Sequence, residues 1–193
     1  MRRILFGIIF TFCVLTTFGQ TASEHLTFKG IPIDGTLESF VGKLKKKGYE
    51  EFARKKGNVL LQGDFAGYRN CFIAVGNSED LDLVSRVTVT LPFSDNWNTT
   101  YEFFDKLKRM MIEKHGLPVF EKEEFKDKNP SDDYLKYIYT KQGYCNYIAE
   151  FDVGIGGKQI KIIGVDEAGI SVSITYFDFY NEELRDKKAM DDL

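Results

Sequence analysis

The sequence contains two histidines and 29 acidic residues, but few of them are spaced as acid–base chemistry requires. The histidines are His25 and His115, and His115 ends a predicted helix, where the helix dipole favours a cationic side chain. Glu150 and Asp152 share one face of a predicted strand and could serve as the acid and base of a hydrolase acting on envelope polymers. No catalytic partner for this pair can be assigned on a second strand. Carboxylates without such a partner are typical of the solvent-facing side of a strand. The sequence therefore predicts no catalytic residue.

Motifs of the common enzyme classes are also absent from the sequence. There is no Gly-x-Ser-x-Gly, His-Glu-x-x-His or Cys-x-x-Cys motif, and no glycine-rich loop in a phosphate-binding context. The acidic stretch at residues 79–82 lacks the alternating oxygen donors of a calcium-binding loop. We therefore expect no metal, no cofactor and a protein that is not an enzyme.

The first 19 residues have the features of a secretory signal peptide. Residues 1–3 are positively charged, and residues 4–15 are mostly apolar but fewer than the ~20 residues that span a bilayer. Small residues at 17 and 19 precede a cleavage site before Gln20. An uncleaved membrane anchor is the alternative. The pattern predicts export to the periplasm, the cell surface or the medium, without stable membrane insertion after cleavage.

Two cysteines, Cys71 and Cys145, follow the predicted cleavage site. An even number of cysteines in an oxidising compartment is consistent with a disulfide. Two buried thiols fit the sequence nearly as well, because a sequence does not supply the Cα separation that a disulfide requires. The two residues are therefore a candidate disulfide pair.

Apolar residues recur with helical spacing in two segments and with a period of two in four others. The first helical segment begins at the N-cap residue Thr36 and ends at Gly48, and the second begins with a capping box at 99–102. This combination predicts an α+β fold, with helices packed on one face of an antiparallel sheet and the other face open. The segments with a period of two are residues 59–65, 86–91, 149–153 and 170–176.

Three pairs of similar segments occur in the same order along the chain. The pairs are 47–52 with 115–120, 67–70 with 143–146, and 87–91 with 170–174. Their order predicts a tandem repeat of a helix-plus-strands unit. We expect a first unit at residues 20–96, a second unit at 97–180 and a charged, partly disordered tail at 181–193.

The predicted tandem architecture resembles the secreted β-lactamase inhibitor protein fold and, more loosely, small outer-membrane assembly lipoproteins. Four segments carry a second resemblance: FKGIPIDGT at 28–36, GDFAGY at 63–68, LVSRV at 83–87 and KKAMDDL at 187–193. As a set they resemble a family of small secreted proteins of Bacteroidetes-type bacteria without an established activity. The first resemblance implies inhibition of a protein as one function, although a fold does not transfer function.

Aromatic residues make up 15% of the chain and supply the candidate binding residues. Tyr68 and Tyr144 occupy matched places in the two predicted units, and Tyr147, Trp97 and Tyr176 complete the set. Tyrosine on a half-exposed sheet offers a large contact area with a polar tip, which suits recognition of a protein or a sugar. The same rings could instead complete the two small cores.

The negative net charge of the chain disfavours one class of partner, nucleic acid. It is −3 for the whole sequence, and removal of Arg2 and Arg3 with the signal peptide makes it more negative, which disfavours nucleic acid. The sequence therefore favours an exported, non-enzymatic binding module that recognises a protein partner through an open, aromatic-rich sheet face. A glycan-binding module and a small hydrolase that uses Glu150 and Asp152 are the alternatives.

Overall fold

The computed structural model describes residues 25–78 and 81–191. The predicted signal peptide and part of the acidic stretch at 79–82 lie outside the described residues. The elements follow in the order β1 (Thr27–Phe28), β2 (Ile31–Pro32), α1 (Leu37–Lys45), β3 (Glu50–Lys55), β4 (Asn58–Phe65), β5 (Tyr68–Ser78), β6 (Leu83–Thr90), α2 (Trp97–His115), β7 (Phe120–Phe125), α3 (Asp133–Lys141), β8 (Cys145–Asp152), β9 (Gly156–Val165), β10 (Gly169–Asp178) and α4 (Phe179–Asp191). In this part of the chain, no helix combines the length and the apolar character of a membrane span.

Eight of the strands form one antiparallel sheet in the order β3-β4-β5-β6-β10-β9-β8-β7. Each half of the sheet is a meander of four consecutive strands, and the halves meet where β6 pairs with β10. Helices α2 and α3 contact β8, β9 and β10, while α1 contacts β4, β5 and β6. The prediction of an α+β fold with helices packed against an antiparallel sheet is confirmed.

Period-2 alternation places the core between the sheet and helices α1 to α3. The alternating apolar residues of each strand are buried on one face, as the pairing of Ile73, Val89, Ile174, Ile160 and Ala149 across five strands illustrates. The sheet is strongly curved, since the rings of Phe65 on β4 and Tyr176 on β10 are 6.5 Å apart although two strands lie between them.

Of the two predicted helix N-termini, the structure confirms one and corrects the other. Thr36 is the N-cap of α1, where its side chain accepts a hydrogen bond from the backbone N–H of Ser39 at 3.3 Å. The predicted capping box at 99–102 is wrong, because the N-cap of α2 is Asn96, three residues before Thr99. The Asn96 side chain accepts from the N–H of Thr99 at 3.0 Å, so a residue of the preceding loop performs the capping.

The topology agrees with two of the three matched segment pairs. Residues 47–52 and 115–120 each connect a helix to the first strand of a meander, and residues 87–91 and 170–174 belong to the last strands. Tyr68, however, begins the third strand of its meander, whereas Tyr144 precedes the second strand of the other. These tyrosines are therefore not topologically equivalent, and the tandem repeat stays a prediction.

The candidate disulfide between Cys71 and Cys145 is not formed, and this prediction is corrected. Both cysteines are buried free thiols, one on β5 and the other on β8. Strands β6, β10 and β9 lie between them. Four inter-strand spacings of about 4.8 Å therefore separate the two strands, whereas a disulfide needs Cα atoms within about 7 Å. Burial raises the pKa of both thiols.

The segment predicted as a charged, partly disordered tail forms helix α4 as far as residue 191. Asp178 explains its start, because the fully buried carboxylate accepts from the N–H of Asn181 at 3.0 Å, in the manner of an N-cap. The same carboxylate accepts from the N–H of Leu26 at 2.6 Å and lies 3.1 Å from Nδ1 of His25. Asn181 in turn donates to the carbonyl of Val84. Tertiary contacts thus order a segment of low apolar content.

A close approach between α3 and β9 yields a test of the packing. A Cβ atom at Gly164 would lie 2.5 Å from the carbonyl oxygen of Thr140 and 2.7 Å from Cα of Lys141. We expect Gly164→Ala to lower the free energy of unfolding by about 1–3 kcal/mol, because α3 must move away from the sheet. The control, Gly42→Ala on α1, meets no atom within 4 Å and should raise it by about 0.5–1 kcal/mol. Urea denaturation measures both, and equal effects would contradict the packing.

The buried Asp178 carboxylate yields a second test. Asp178→Ala leaves the N–H groups of Leu26 and Asn181 without an acceptor, so we expect the free energy of unfolding to fall by about 2–4 kcal/mol. Asp186→Ala is the matched control, since Asp186 is exposed and bonds its neighbour Arg185. The control should change the same quantity by less than about 0.5 kcal/mol. A small effect of Asp178→Ala in thermal and urea unfolding would show that the junction is dispensable.

Candidate functional site

Two of the predicted binding residues, Trp97 and Tyr147, belong to the core. Trp97 is 3% exposed, and its ring centroid lies 5.1 Å from that of Tyr147. Phe104 and Phe125 also contact Tyr147, at centroid distances of 6.2 and 5.5 Å. This aromatic cluster packs α2 on strands β7 and β8. These contacts show that Trp97 and Tyr147 pack the core and do not form a binding surface.

Tyr68 and Tyr144 lie apart and do not form one site. The Tyr68 ring contacts Phe103 of α2 at 4.9 Å, and its hydroxyl is buried without a hydrogen-bond partner among the described residues. Burial also raises the pKa of Tyr68. Tyr144 packs against Tyr139, with the Lys128 ammonium 4.6 Å from its ring centroid. Strands β6, β10 and β9 separate the elements that hold the two tyrosines.

Both carboxylates of the alternative acid–base pair, Glu150 and Asp152, accept hydrogen bonds from neighbouring groups of the fold. Glu150 accepts a hydrogen bond from the amide of Gln159 at 2.8 Å. Asp152 accepts from the backbone N–H of Gly154 at 2.7 Å and thereby shapes the turn between β8 and β9. Both carboxylates line a shallow depression of about 360 Å³ together with Glu182, whose oxygens accept from Ser85 and Arg86. Each carboxylate therefore has a structural partner.

The sheet face opposite α1, α2 and α3, here called the open face, carries different side chains from those predicted. Helix α4 occupies one end of it, where Glu182 binds Ser85 and Arg86. The middle of the face holds short hydroxyl side chains, and Oγ1 of Thr88 lies 3.1 Å from Oγ1 of Thr175. No predicted tyrosine lies in this middle region. The side chains of its central strands are Phe72, Thr88, Thr90, Gln159, Lys161, Ser173 and Thr175.

An aromatic pair stands at one edge of the open face. Phe52 of edge strand β3 is 62% exposed, and its ring meets that of Phe72 edge to face at 5.1 Å. Sequence reasoning missed this pair because β3 shows no alternation, and every residue of that strand is exposed.

A second surface, here called the basic cleft, lies on the helix side of the sheet and has a volume of about 1030 Å³. The N-terminal segment 25–30, the end of α2 and the turn between β8 and β9 surround it. Tyr176, the remaining predicted binding residue, lines the cleft, where its ring contacts Phe28 at 5.3 Å. Burial raises the pKa of Tyr176 well above its ordinary value.

Lys158 and His115 form the polar centre of the basic cleft. Nζ of Lys158 lies 2.9 Å from Nε2 of His115, and it also lies 5.4 Å from the ring centroid of Tyr176. Burial lowers the pKa of Lys158, with a further contribution from Lys114. Burial, Lys158 and Lys114 together lower the pKa of His115. Cations are thus crowded in a partly dehydrated space, and crowding of this kind marks candidate functional sites.

Sequence reasoning missed Lys158, although a signal for it exists. Lys158 is in phase with Ile160 and Ile162 on β9, so it occupies a position on the face that is otherwise buried and apolar. A lysine at such a position is unusual, because burial of a charge without a partner is unfavourable. The spacing alone therefore singles out Lys158 once β9 is assigned.

The shared environment of His115 and Lys158 predicts a pH dependence. We expect the His115 titration, followed by NMR, to have a midpoint below the ordinary value of about 6.5, and to rise when Lys158→Gln removes the adjacent charge. Lys161→Gln, on the opposite face of β9, is the control and should leave the midpoint unchanged. Because the lowered pKa means that the unfolded chain binds the proton more readily, stability should fall as the pH falls through about 6.5. An unshifted midpoint would contradict the geometry.

Among the described residues, no group of three or more His, Cys, Asp or Glu side chains is arranged to hold a metal ion. Comparisons with protein-family models, with curated protein sequences and with solved structures find no match to this chain.

Proposed function

We propose that the protein is an exported, non-enzymatic binding module that recognises a protein partner through the open face. The observation that carries the proposal is the exposed ring of Phe52, supported from one side by Phe72. Large aromatic side chains that lose water on association dominate the energetics of protein interfaces. Phe52 has the exposure of such an anchor, and Phe72 restricts its rotation before binding.

The polar side chains in the middle of the open face also support recognition of a protein partner. Ser173 and Thr175 are buried even though they belong to this face, as expected of short side chains between longer neighbours. The hydroxyl groups of this region and the flanking Lys161 and Gln159 offer hydrogen bonds to the polar backbone of a partner. The expected partner therefore combines an apolar side chain that packs on Phe52 with backbone groups that bind the middle of the open face.

The proposal of export rests on the sequence of residues 1–19. The structural partners of Glu150 and Asp152 favour binding over hydrolysis, because each carboxylate already accepts a hydrogen bond from its own fold. The resemblance to an inhibitor fold is compatible with inhibition of the bound protein as one consequence of binding.

The test is capture of a partner from host envelope extract with residues 20–193 as bait, followed by measurement of the affinity of the purified pair. We expect Phe52→Ala to weaken that affinity by at least about tenfold. Tyr134→Ala is the matched control, since Tyr134 is a ring of comparable exposure (71%) on helix α3, on the other side of the sheet. Circular dichroism and thermal unfolding verify that both variants are folded.

Three outcomes would contradict the proposal. The first is a partner that binds the Phe52→Ala variant as tightly as the unaltered protein. The second is a partner lost equally with Tyr134→Ala, which would place the interface on the helix side. The third is the absence of a protein partner together with retention on envelope polysaccharide, which would favour the glycan-binding alternative.

A further inference from the structure

The basic cleft contains cations that lack carboxylate partners. Lys45, Lys108 and Lys136 each form an ion pair with a neighbouring acidic side chain. By contrast, Lys114 and Lys158 have no carboxylate within ion-pair distance among the described residues. Asp152 is the acidic residue that lines the cleft, and it accepts from the N–H of Gly154. An excess of positive charge therefore faces the interior of the cleft.

The helix dipole explains only part of this charge. Lys114 and His115 lie in the last turn of α2, where cations are favoured. Lys158 comes from strand β9, at a position that continues the buried row of Ile160 and Ile162, so neither the dipole nor exposure to water accounts for it. A bound anion would compensate both lysines and remove the unfavourable crowding of their charges.

The basic cleft continues into an apolar slot between α2 and the sheet. The slot has a volume of about 210 Å³ and shares Lys158, His115 and Tyr176 with the cleft. Its walls are apolar side chains, among them Met110 and Met111. Methionine is flexible and polarisable, and so adapts to an inserted chain. Met110 is 47% exposed, which leaves apolar area that an occupant would cover.

We propose that the basic cleft binds a small amphiphile whose single anionic head pairs with Lys158 and Lys114 and whose alkyl chain enters the slot beside Met110 and Met111. The charge and the apolar area lie next to each other, so one molecule must satisfy both. The volume of the cleft is at the upper end of the range typical of sites for small molecules. Because this site is on the helix side of the sheet, it is separate from the open face and its test does not depend on a protein partner.

Isothermal titration calorimetry with defined probes tests the proposal on residues 20–193. Dodecanoate and dodecyl phosphate, below their aggregation concentrations, represent the two anionic heads. Inorganic phosphate represents the head alone, and dodecyltrimethylammonium represents the chain with the opposite charge. We expect both anionic amphiphiles to bind, octanoate to bind more weakly by about fourfold for each methylene removed, and the cationic probe not to bind. The relative affinity of the two heads distinguishes a carboxylate ligand from a phosphate ligand.

Variants of two lysines on one strand locate the site. Lys158→Met retains an unbranched side chain of nearly the same length but removes its charge, and we expect it to weaken dodecanoate binding at least tenfold. Lys161→Met is the matched control on the opposite face of β9, and binding should be unchanged. Met111→Asp introduces a charge into the slot and should abolish the dependence on chain length. Thermal unfolding verifies that each variant is folded.

Several results would overturn the proposal. Equal affinity for inorganic phosphate and dodecyl phosphate would reduce the site to a plain anion site. Equal weakening by Lys158→Met and Lys161→Met would show non-specific attraction. Binding to vesicles of anionic phospholipid without binding to monomeric dodecanoate would show a membrane-surface contact in place of a ligand cleft.

Discussion

The buried carboxylate of Asp178 is the interaction on which the arrangement of the molecule depends. It ends the central strand β10, begins helix α4 and holds the N-terminal segment through Leu26 and His25. A fully buried carboxylate is unfavourable unless hydrogen bonds replace its water, and these donors do so. Asn181 extends the junction to β6 through its bond to Val84. Three parts of the chain distant in sequence are thereby fixed at one end of the sheet.

Both candidate surfaces follow from that junction. The N-terminal segment carries Phe28, which stacks on Phe65 and meets Tyr176, and so forms one wall of the basic cleft. Helix α4 leaves the junction on the other side and occupies one end of the open face through Glu182. Loss of the Asp178 contacts would alter the cleft and the open face together, although the two surfaces lie on opposite sides of the sheet.

Alternate side chains of strand β9 lie in two different environments. Lys158, Ile160 and Ile162 point toward the helices, while Gln159 and Lys161 point toward the open face. The two lysines are three residues apart, yet one lies in a half-buried cationic cluster and the other on an uncovered polar surface. This difference explains why the same substitution at the two positions is expected to have different effects, and it makes Lys161 an internal control for Lys158.

The periodicity of the sequence was sufficient for the class of fold and for much of the core, because side chains that alternate along a strand must share a face whatever the strand pairs with. The alternation of Val87 and Val89 was interpreted correctly for this reason. The N-cap at Thr36 was predicted correctly because its hydroxyl can accept a hydrogen bond from a backbone N–H of the first helical turn. Local pattern does not determine which strands become neighbours. The separation of Cys71 from Cys145, the different topological positions of Tyr68 and Tyr144, and the ordering of α4 by Asp178 were therefore decided by tertiary structure. The open face and the basic cleft have the same origin, since both are formed by residues far apart in sequence that only strand pairing and helix packing bring together.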